Sequence, residues 1–401
     1  MIDDHVHFRD PGLTHKADIS TESRAAAAGG VTSIMDMPNT NPQTTTLDAL
    51  NAKFDLLAEK CSVNYSCYFG ATNNNYTEFD KLDKNRVCGI KLFMGSSTGN
   101  MLVDKMNSLL NIFNGTDLLI AAHCENHETI KKNTEKYVKE YIEKYPHQYY
   151  HVHHETLPMG YHAKIRSIAA CYESSELAVR LARIADARLH ILHISTAREL
   201  SLFDNDIPLE EKRITAEACV SHLLFDSSDY PELGARIKCN PSIKTKPPGC
   251  APPGSQLQPD RCNRDRPCPT PSQRKEGGPL KAMSGMPMIQ FSLVSMLELV
   301  NEGIFTIEKV VEKMCHAPAQ IYNIHNRGFI RPGYQADLVL VRPDALWTVS
   351  ADQILSKCGW SPLEGRTFEW KVEKTFANGH LLYTDGQVDE TYRGQEIYFE
   401  R

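Results

Sequence analysis

The alternation of short apolar runs with longer amphipathic runs constrains the fold of this chain more than any other feature of its sequence. The apolar runs have the length of strands, and the runs between them have the length and periodicity of helices. Repeated strand–helix units predict an α/β fold with a parallel sheet, and their number favours a closed (β/α)8 TIM-like barrel. The predicted strands are 31–37, 64–71, 87–94, 118–124, 188–195 and 214–220, and the predicted helices are 20–28, 47–60, 126–144 and 162–185.

Composition excludes several classes of function. The 401 residues are enough for one large and one small domain, with 41% apolar and 23% charged residues. The net charge of −6 and the lack of a basic stripe argue against nucleic acid as a partner. No apolar run is long enough to cross a bilayer. The 12 cysteines are scattered, without a C-x-x-C pattern, and this indicates reduced thiols in a cytoplasmic protein.

The segment 4–12 carries the first candidate site. His5 and His7 are two residues apart, and Arg9 follows in the same phase. Residues i and i+2 of a strand face the same side, so both imidazoles are expected to converge on one point beside a fixed cation. Two neutral imidazoles at this spacing suit a borderline metal such as zinc. The spacing alone is weak evidence, and the later residues decide.

Three further candidates lie at or near the ends of predicted strands, the place where catalytic residues lie in (β/α)8 barrels. Lys91 lies in an apolar run, and a buried lysine is costly unless it is paired or neutralised. Carbamylation by CO2 would turn it into an anionic ligand with two oxygens. His123 and His193 end the strands that follow. A lone strand histidine is most often a hydrogen-bonded core residue, but Lys, His and His in order after His-x-His favour one shared site.

The other histidines are interpreted as structural. His151 and His153 also form a His-x-His pair, but they lie in a polar, aromatic insert after a helix. His190 is three residues before His193, so it is expected on the opposite face of the strand. His222 follows a strand and is expected to make structural hydrogen bonds.

Taken together, these stretches resemble the amidohydrolase superfamily, and specifically the dihydroorotases. The resemblance is spread over most of the chain, and it is specific as a set although no single stretch is. The matching segments are 4–12, 37–40, 91–98, 122–125, 192–196, 238–241, 328–341 and 358–365.

The resemblance implies a centre with two zinc ions. His5 and His7 would hold one ion. His123 and His193 would hold the second, and a carboxylated Lys91 would bridge the two. Water activated between two metal ions is a strong nucleophile near neutral pH.

The resemblance also implies which residues bind a small-molecule substrate. Arg9 offers a bidentate fork to the substrate carboxylate, and Asn39 offers an amide. Asn240 matches a further substrate-contacting position, and the loop 95–100 is a candidate mobile cover.

The function that these features imply is the interconversion of L-dihydroorotate and N-carbamoyl-L-aspartate in pyrimidine biosynthesis. Arg9 and Asn39 favour a substrate with a free carboxylate. One alternative is a related cyclic amidohydrolase that acts on hydantoin, dihydropyrimidine or allantoin. Another is a non-catalytic scaffold, but a scaffold has no need for the five intact metal ligands. The resemblance also makes a homodimer plausible.

The segment 246–274 departs from the family pattern. The family places a metal-binding, proton-shuttling aspartate at the end of the eighth strand, within Thr-Asp-His-Ala-Pro-His, and this chain has no such motif. The segment instead holds eight prolines and three cysteines, and a proline-rich run is not expected to form a central strand. One interpretation is a three-cysteine metal loop, although the spacing fits no common zinc pattern. A disordered insert agrees better with the composition.

A third interpretation is a pair of compensating frame shifts around 246–275. Codons for residues 261–270, read one base later, permit Asp-Val-Ile-Ala-Thr-Asp-His-Ala-Pro-His. The aspartate would then fall at the position of Arg266. The chain as written is therefore predicted to have a disrupted eighth strand, no catalytic aspartate and little or no turnover.

Residues 1–325 are predicted to form the barrel, and residues 326–401 the C-terminal part of a small β-sandwich, in which residues 373–383 look like a strand. In the family, N-terminal strands complete that sandwich. We expect that a segment before Met1 is missing from this sequence, and that the sandwich remnant exposes apolar surface.

Overall fold

Parallel strands in chain order form the centre of the computed structural model, which describes residues 1–95, 101–146, 157–245 and 275–401 and the backbone of 261–264. Each strand pairs with its successor, except that Asn64–Cys67 and Phe69–Gly70 are two parts of one strand, separated by Tyr68. The predicted α/β fold with parallel strands is therefore confirmed. The strands are β1 (Ile2–Val6), β2 (Ser33–Asp36), β3 (Asn64–Cys67), β4 (Phe69–Gly70), β5 (Ile90–Phe93), β6 (Ile120–His123), β7 (Leu189–Ile191), β8 (Ile214–Cys219) and β9 (Arg261–Arg264).

The last of these strands corrects the expectation that the proline-rich segment contributes no strand. β9 pairs in parallel with β8, with Ala216 opposite Arg261 and Cys219 opposite Arg264, and it lies beside β1. The sequence has no proline between positions 259 and 267, so these four residues keep every N–H group that a ladder requires. The rest of 246–274 lies outside the described residues.

Helices follow most of the strands, and polar caps fix where several of them begin. Thr46 caps α2 by accepting the N–H of Ala49. The predicted helix 162–185 is two helices, because the extended Ser167 caps the second one by accepting the N–H of Ala170. The described helices are α1 (Ile19–Ala28), α2 (Leu47–Lys60), α3 (Met106–Asn114), α4 (His127–Lys144), α5 (Tyr161–Ile165), α6 (Ile168–Ala185), α7 (Val220–Leu224), α8 (Tyr230–Leu233), α9 (Gly278–Lys281), α10 (Ser292–Asn301), α11 (Ile307–Val311) and α12 (Ala317–Tyr322).

Two properties of the described ranges bear on the compositional predictions. Their cysteines are all free thiols. None of their helices combines the length and the hydropathy that crossing a membrane requires.

The C-terminal residues form short antiparallel strands. The predicted single strand 373–383 is wrong, because Asn378 and Gly379 adopt φ of 52° and 81° and turn the chain into a hairpin. Ile330 and Leu346 are 89% and 73% exposed, so this region does present apolar side chains to solvent. The strands are β10 (Leu338–Arg342), β11 (Trp347–Thr348), β12 (Thr367–Phe368), β13 (Lys371–Ala377), β14 (His380–Thr384) and β15 (Gln387–Val388). The sheet order is β10-β13-β14-β15, with β11 paired to β12.

The amino-terminal ends of the parallel strands are closed by packed side chains. The hydroxyl groups of Tyr68 and Tyr322 are 2.7 Å apart, and both side chains are buried. Ile397 and Phe399 from the end of the chain are buried in the same apolar cluster. The carboxyl ends of the strands lie on the opposite face.

Candidate metal centre

His5 and His7 lie together at the carboxyl end of β1. Both side chains are buried, and their ring centroids are 5.4 Å apart. The β1 ladder is irregular between Asp3 and Val6, where its register with β2 shifts. The strand thus delivers both imidazoles to one place, as the spacing predicts.

The structure brings the other two predicted histidines to the same place. The ring of His193 is 5.3 Å from that of His5 and 4.7 Å from that of His123. His123 Nδ1 and His193 Nε2 are 2.8 Å apart. We call His5, His7, His123 and His193 the imidazole cluster; it is continuous and buried.

Lys91 lies on β5, the strand next to that of His123. Its side chain is 1% exposed, and its Nζ is 4.4 Å from the centroid of the Phe93 ring. The Phe93 ring in turn lies 6.0 Å from that of His123. The lysine is therefore buried beside the imidazole cluster, in agreement with the expectation that it is not a surface charge.

The Nδ1 atoms of His5 and His7 each lie within hydrogen-bonding distance of an oxygen atom. His5 Nδ1 is 2.5 Å from Glu217 Oε1, and His7 Nδ1 is 2.7 Å from Asn39 Oδ1. An acceptor at Nδ1 fixes the proton there and leaves Nε2 with the lone pair that a metal needs. The donor set of four buried imidazoles, two with their tautomer set, fits zinc.

A second buried carboxylate lies against His123. Glu125 Oε2 is 3.0 Å from His123 Nε2, and Arg166 Nη1 donates to the same oxygen. Burial alone would raise the pKa of Glu125, but Arg166 and His123 outweigh it and hold that pKa well below its usual range. Glu125 therefore carries a negative charge at neutral pH.

The predicted substrate-binding residues occupy different settings. Arg9 is buried, with a left-handed φ of 67°. Asn39 Oδ1 lies 2.7 Å from His7 Nδ1, and its NH2 group takes no part in that contact. Asn240 accepts from Ser284 Oγ at 3.1 Å. It lies in a segment that reaches the loop after β7, where Lys244 Nζ donates to Ser195 Oγ at 2.9 Å.

The expected orientation of His190 is wrong. His193 has a left-handed φ of 43°, which breaks the alternation of sides along the strand. His190 therefore faces inward as well, with Nδ1 2.8 Å from Thr215 Oγ1 and Nε2 3.5 Å from Glu217 Oε2. A left-handed residue other than glycine costs on the order of 1–3 kcal/mol, and such residues concentrate at functional sites. His222 Nε2 contacts the Pro241 carbonyl at 3.0 Å, the structural role predicted for it.

Sequence reasoning missed the carboxylates that support the imidazole cluster. Glu217 is an acidic residue inside an otherwise apolar strand, the same signal that identified Lys91. Burial alone would raise the pKa of Glu217, but His5 and His190 outweigh it and keep that pKa well below its usual range. Glu125 follows His123 by two residues and gave no separate signal.

Several sequence predictions fall on residues that the structure does not describe. These are Arg266, His151 and His153, and the loop 95–100 beyond its first residue.

Comparison with known families gives two matches along the chain. A family model described as dihydro-orotase-like matches residues 1–199, and one described as the amidohydrolase family matches residues 265–382.

Several curated proteins are similar to almost the whole chain. The dihydroorotase of Methanosphaera stadtmanae is 28% identical over 413 residues, covering 99% of this chain and 87% of that protein. The dihydroorotase of Pyrococcus furiosus is 29% identical over 408 residues, covering 99% and 84%. An allantoinase of Bacillus velezensis is 28% identical over 394 residues, covering 96% and 83%.

Solved structures share the fold. The L-hydantoinase (dihydropyrimidinase) from Arthrobacter aurescens has a TM-score of 0.86 at 26% identity, covering 96% of this chain and 85% of that one. The dihydropyrimidinase from Brevibacillus agri has a TM-score of 0.82 at 20% identity, covering 100% and 88%, and this likeness supports the fold alone.

Proposed function

Because the chain belongs to the amidohydrolase family and is a dihydroorotase-like hydrolase of cyclic amides, we propose that it is built to interconvert L-dihydroorotate and N-carbamoyl-L-aspartate. The observation that carries the proposal is the imidazole cluster at the carboxyl face, with Lys91 buried beside it. Chemistry at this face is what a closed (β/α)8 barrel predicts, and we infer that β9 completes such a barrel beside β1.

The residues of the centre divide into two ligand pairs. His5 and His7 would hold one zinc ion through Nε2, since each Nδ1 lies on an oxygen. His123 and His193 would hold the second ion, and carboxylated Lys91 would bridge the two. When bound, two zinc ions would supply Lewis-acid activation of water and of the amide carbonyl.

The remaining predicted residues would bind and orient the substrate. The Arg9 guanidinium would bind the free carboxylate of dihydroorotate as a bidentate fork. Asn39 would donate its NH2 group to the substrate while its oxygen stays on His7. Asn240 would supply a further amide on the same face. These contacts favour a substrate that carries a carboxylate beside the ring.

Hydrolysis adds water across a ring C–N bond, so a proton must reach the departing nitrogen. The family places an aspartate for this step at the end of the eighth strand, and in the shifted reading frame it would fall where this sequence has Arg266. We therefore propose that the chain as written binds zinc but turns substrate over slowly or not at all. The shifted reading frame would place Asp-Val-Ile-Ala at 261–264, the positions that form β9.

The test compares the chain as written with a version whose residues 261–270 read Asp-Val-Ile-Ala-Thr-Asp-His-Ala-Pro-His. Metal content is measured for both, and both are assayed with dihydroorotate, hydantoin, dihydrouracil and allantoin. We expect two zinc ions per chain in the restored version and hydrolysis of dihydroorotate by that version only. Absence of zinc from both would favour the scaffold. Measurable turnover by the chain as written would contradict the role assigned to position 266.

A related cyclic amidohydrolase is the second candidate. It is favoured by the similarity to an allantoinase at 28% identity and to the L-hydantoinase at 26% identity. Preference of the restored version for allantoin or hydantoin over dihydroorotate would decide for it. A homodimer in the cytoplasm stays a prediction, as does the boundary between residues 325 and 326.

A further inference from the structure

Glu217 is the one charged residue of β8, and it contacts both ligand pairs of the proposed centre. Its side chain is 0% exposed. The oxygen Oε1 is 2.5 Å from His5 Nδ1 and accepts the main-chain N–H of His193 at 3.1 Å. One carboxylate oxygen on β8 therefore contacts both His5, on β1, and His193, which follows β7.

The contact with His5 determines which nitrogen carries the proton. A carboxylate is only an acceptor when ionised, so the hydrogen must lie on His5 Nδ1. His5 Nε2 is then the unprotonated ring nitrogen. Without the carboxylate, the imidazole would be free to adopt either tautomer and to rotate about its side-chain bonds.

The contact with His193 acts on the main chain. The left-handed φ of 43° at His193 points its imidazole at His123, where Nε2 comes within 2.8 Å of Nδ1. The N–H of this strained residue is donated to Glu217, and the next N–H, of Ile194, is donated to the Glu217 carbonyl oxygen at 2.8 Å. Glu217 thus secures the turn that aims the second ligand pair.

We propose that Glu217 is the positioning residue of the metal centre, which sets the tautomer of His5 and the main-chain turn at His193 with one oxygen. The proposal rests on the proposed function, because it concerns the same zinc ions. The second oxygen, Oε2, is 3.5 Å from His190 Nε2, and His190 is held by Thr215. The imidazole of His190 therefore lies beside the second oxygen of the carboxylate.

The same geometry would also suit a second role for Glu217, that of a direct metal ligand, and the test separates the two. Possible ligand atoms of His5, Glu217 and Cys219 all lie within 4.8 Å of one another. If Glu217 were a direct ligand, its replacement by glutamine would remove the metal. If it is a positioning residue, glutamine keeps an oxygen that accepts from His5 and His193.

The experiment measures zinc affinity of the full chain by competition with a chromophoric chelator, for wild type, E217A and E217Q. E199A is the matched control, because Glu199 is equally buried but contacts Ser175, Thr196 and Ser195. We expect E217A to lower the affinity for both zinc ions by about 10–100-fold. E217Q and E199A should each lower it by less than about tenfold. Nitrogen NMR of the zinc-free proteins reads the tautomer of His5 directly, and we expect Nδ1–H in wild type and a mixture in E217A.

Three results would overturn the proposal. These are wild-type affinity in E217A, equal loss in E217Q and E217A, and a loss in E199A as large as that in E217A. Wild-type protein that binds no zinc would refute the proposed function instead. The tautomer measurement on zinc-free protein would still decide the role of Glu217 in that case.

Discussion

Glu22 offers a prediction of pH-dependent stability that does not depend on the metal centre. It lies on α1 with its side chain 0% exposed, where Oε1 accepts from Ser356 Oγ at 2.8 Å and from the N–H of Lys357 at 3.1 Å. Its Oε2 has no hydrogen-bond partner in the described part of the chain. Burial raises the pKa of Glu22 from 4.5 to about 7, although these two hydrogen bonds oppose the rise.

The sign and size of the effect follow from proton linkage. Between pH 4.5 and about 7 the folded chain keeps a proton on Glu22 that the unfolded chain releases, so the free energy of unfolding falls as the pH rises. At about 1.36 kcal/mol per pKa unit, the full loss is about 3 kcal/mol above neutral pH. About 2.5 kcal/mol of it develops between about pH 5 and about pH 8.

The assay compares E22Q with wild type across this pH range. Glutamine accepts the same two hydrogen bonds but does not ionise, so E22Q should gain about 2.5 kcal/mol on wild type between about pH 5 and about pH 8. For a chain of this length that is about 3 °C in Tm. Urea unfolding and thermal melting both measure it, with E59Q on an exposed side chain as the control. A difference between E22Q and wild type that stays constant with pH would refute the reasoning.

Three further predictions concern the neighbourhood of the imidazole cluster. Lys53 forms a buried ion pair with Asp36, so K53M should lower the free energy of unfolding in urea by about 3–5 kcal/mol; a loss below about 1 kcal/mol would contradict this. N39A should weaken zinc at the His7 site by about 10-fold or more in chelator competition, while N39D keeps an oxygen for His7. Wild-type zinc affinity in both variants would show that Asn39 does not support zinc binding, and only its proposed contact with the substrate would remain. Zinc at 100 times its Kd should raise the free energy of unfolding by about 2.7 kcal/mol per site, whereas magnesium, which prefers oxygen ligands, should have no effect on melting.

The strands were predictable because apolar periodicity is a local property. The predicted strand 118–124 contains Ile120–His123, and the predicted helix 47–60 is Leu47–Lys60. The errors lie where one or two residues change the local conformation. Ser167 divides a predicted helix in two, because it caps the second part. Asn378 and Gly379 turn a predicted strand into a hairpin, and the Asn-Gly pair is a hairpin signal that the sequence does contain.

The candidate site, too, could be predicted only in part. His5 and His7 could be identified because two residues on one strand face one side, and the ends of parallel strands meet at one face. Their supports could not, because the contact between His5 and Glu217 joins residues 212 positions apart. The orientation of His190 was missed because the alternation of sides between it and His193 is broken by the left-handed φ of His193, which is uncommon in residues other than glycine.

At the position of the eighth strand, the requirements of a β-ladder differ from those of a catalytic site. A parallel ladder requires only N–H and C=O groups in register, and Arg261–Arg264 provides them to Ile214–Cys219 although its sequence is polar. Proton transfer requires one ionisable side chain at one position, and Arg266 does not lose its proton in proteins. We therefore expect this polar segment to keep the strand order of the fold while it lacks the proton-transferring side chain proposed for position 266. For the same reason, zinc binding and turnover are expected to separate in this chain, since the five proposed ligands lie on other strands.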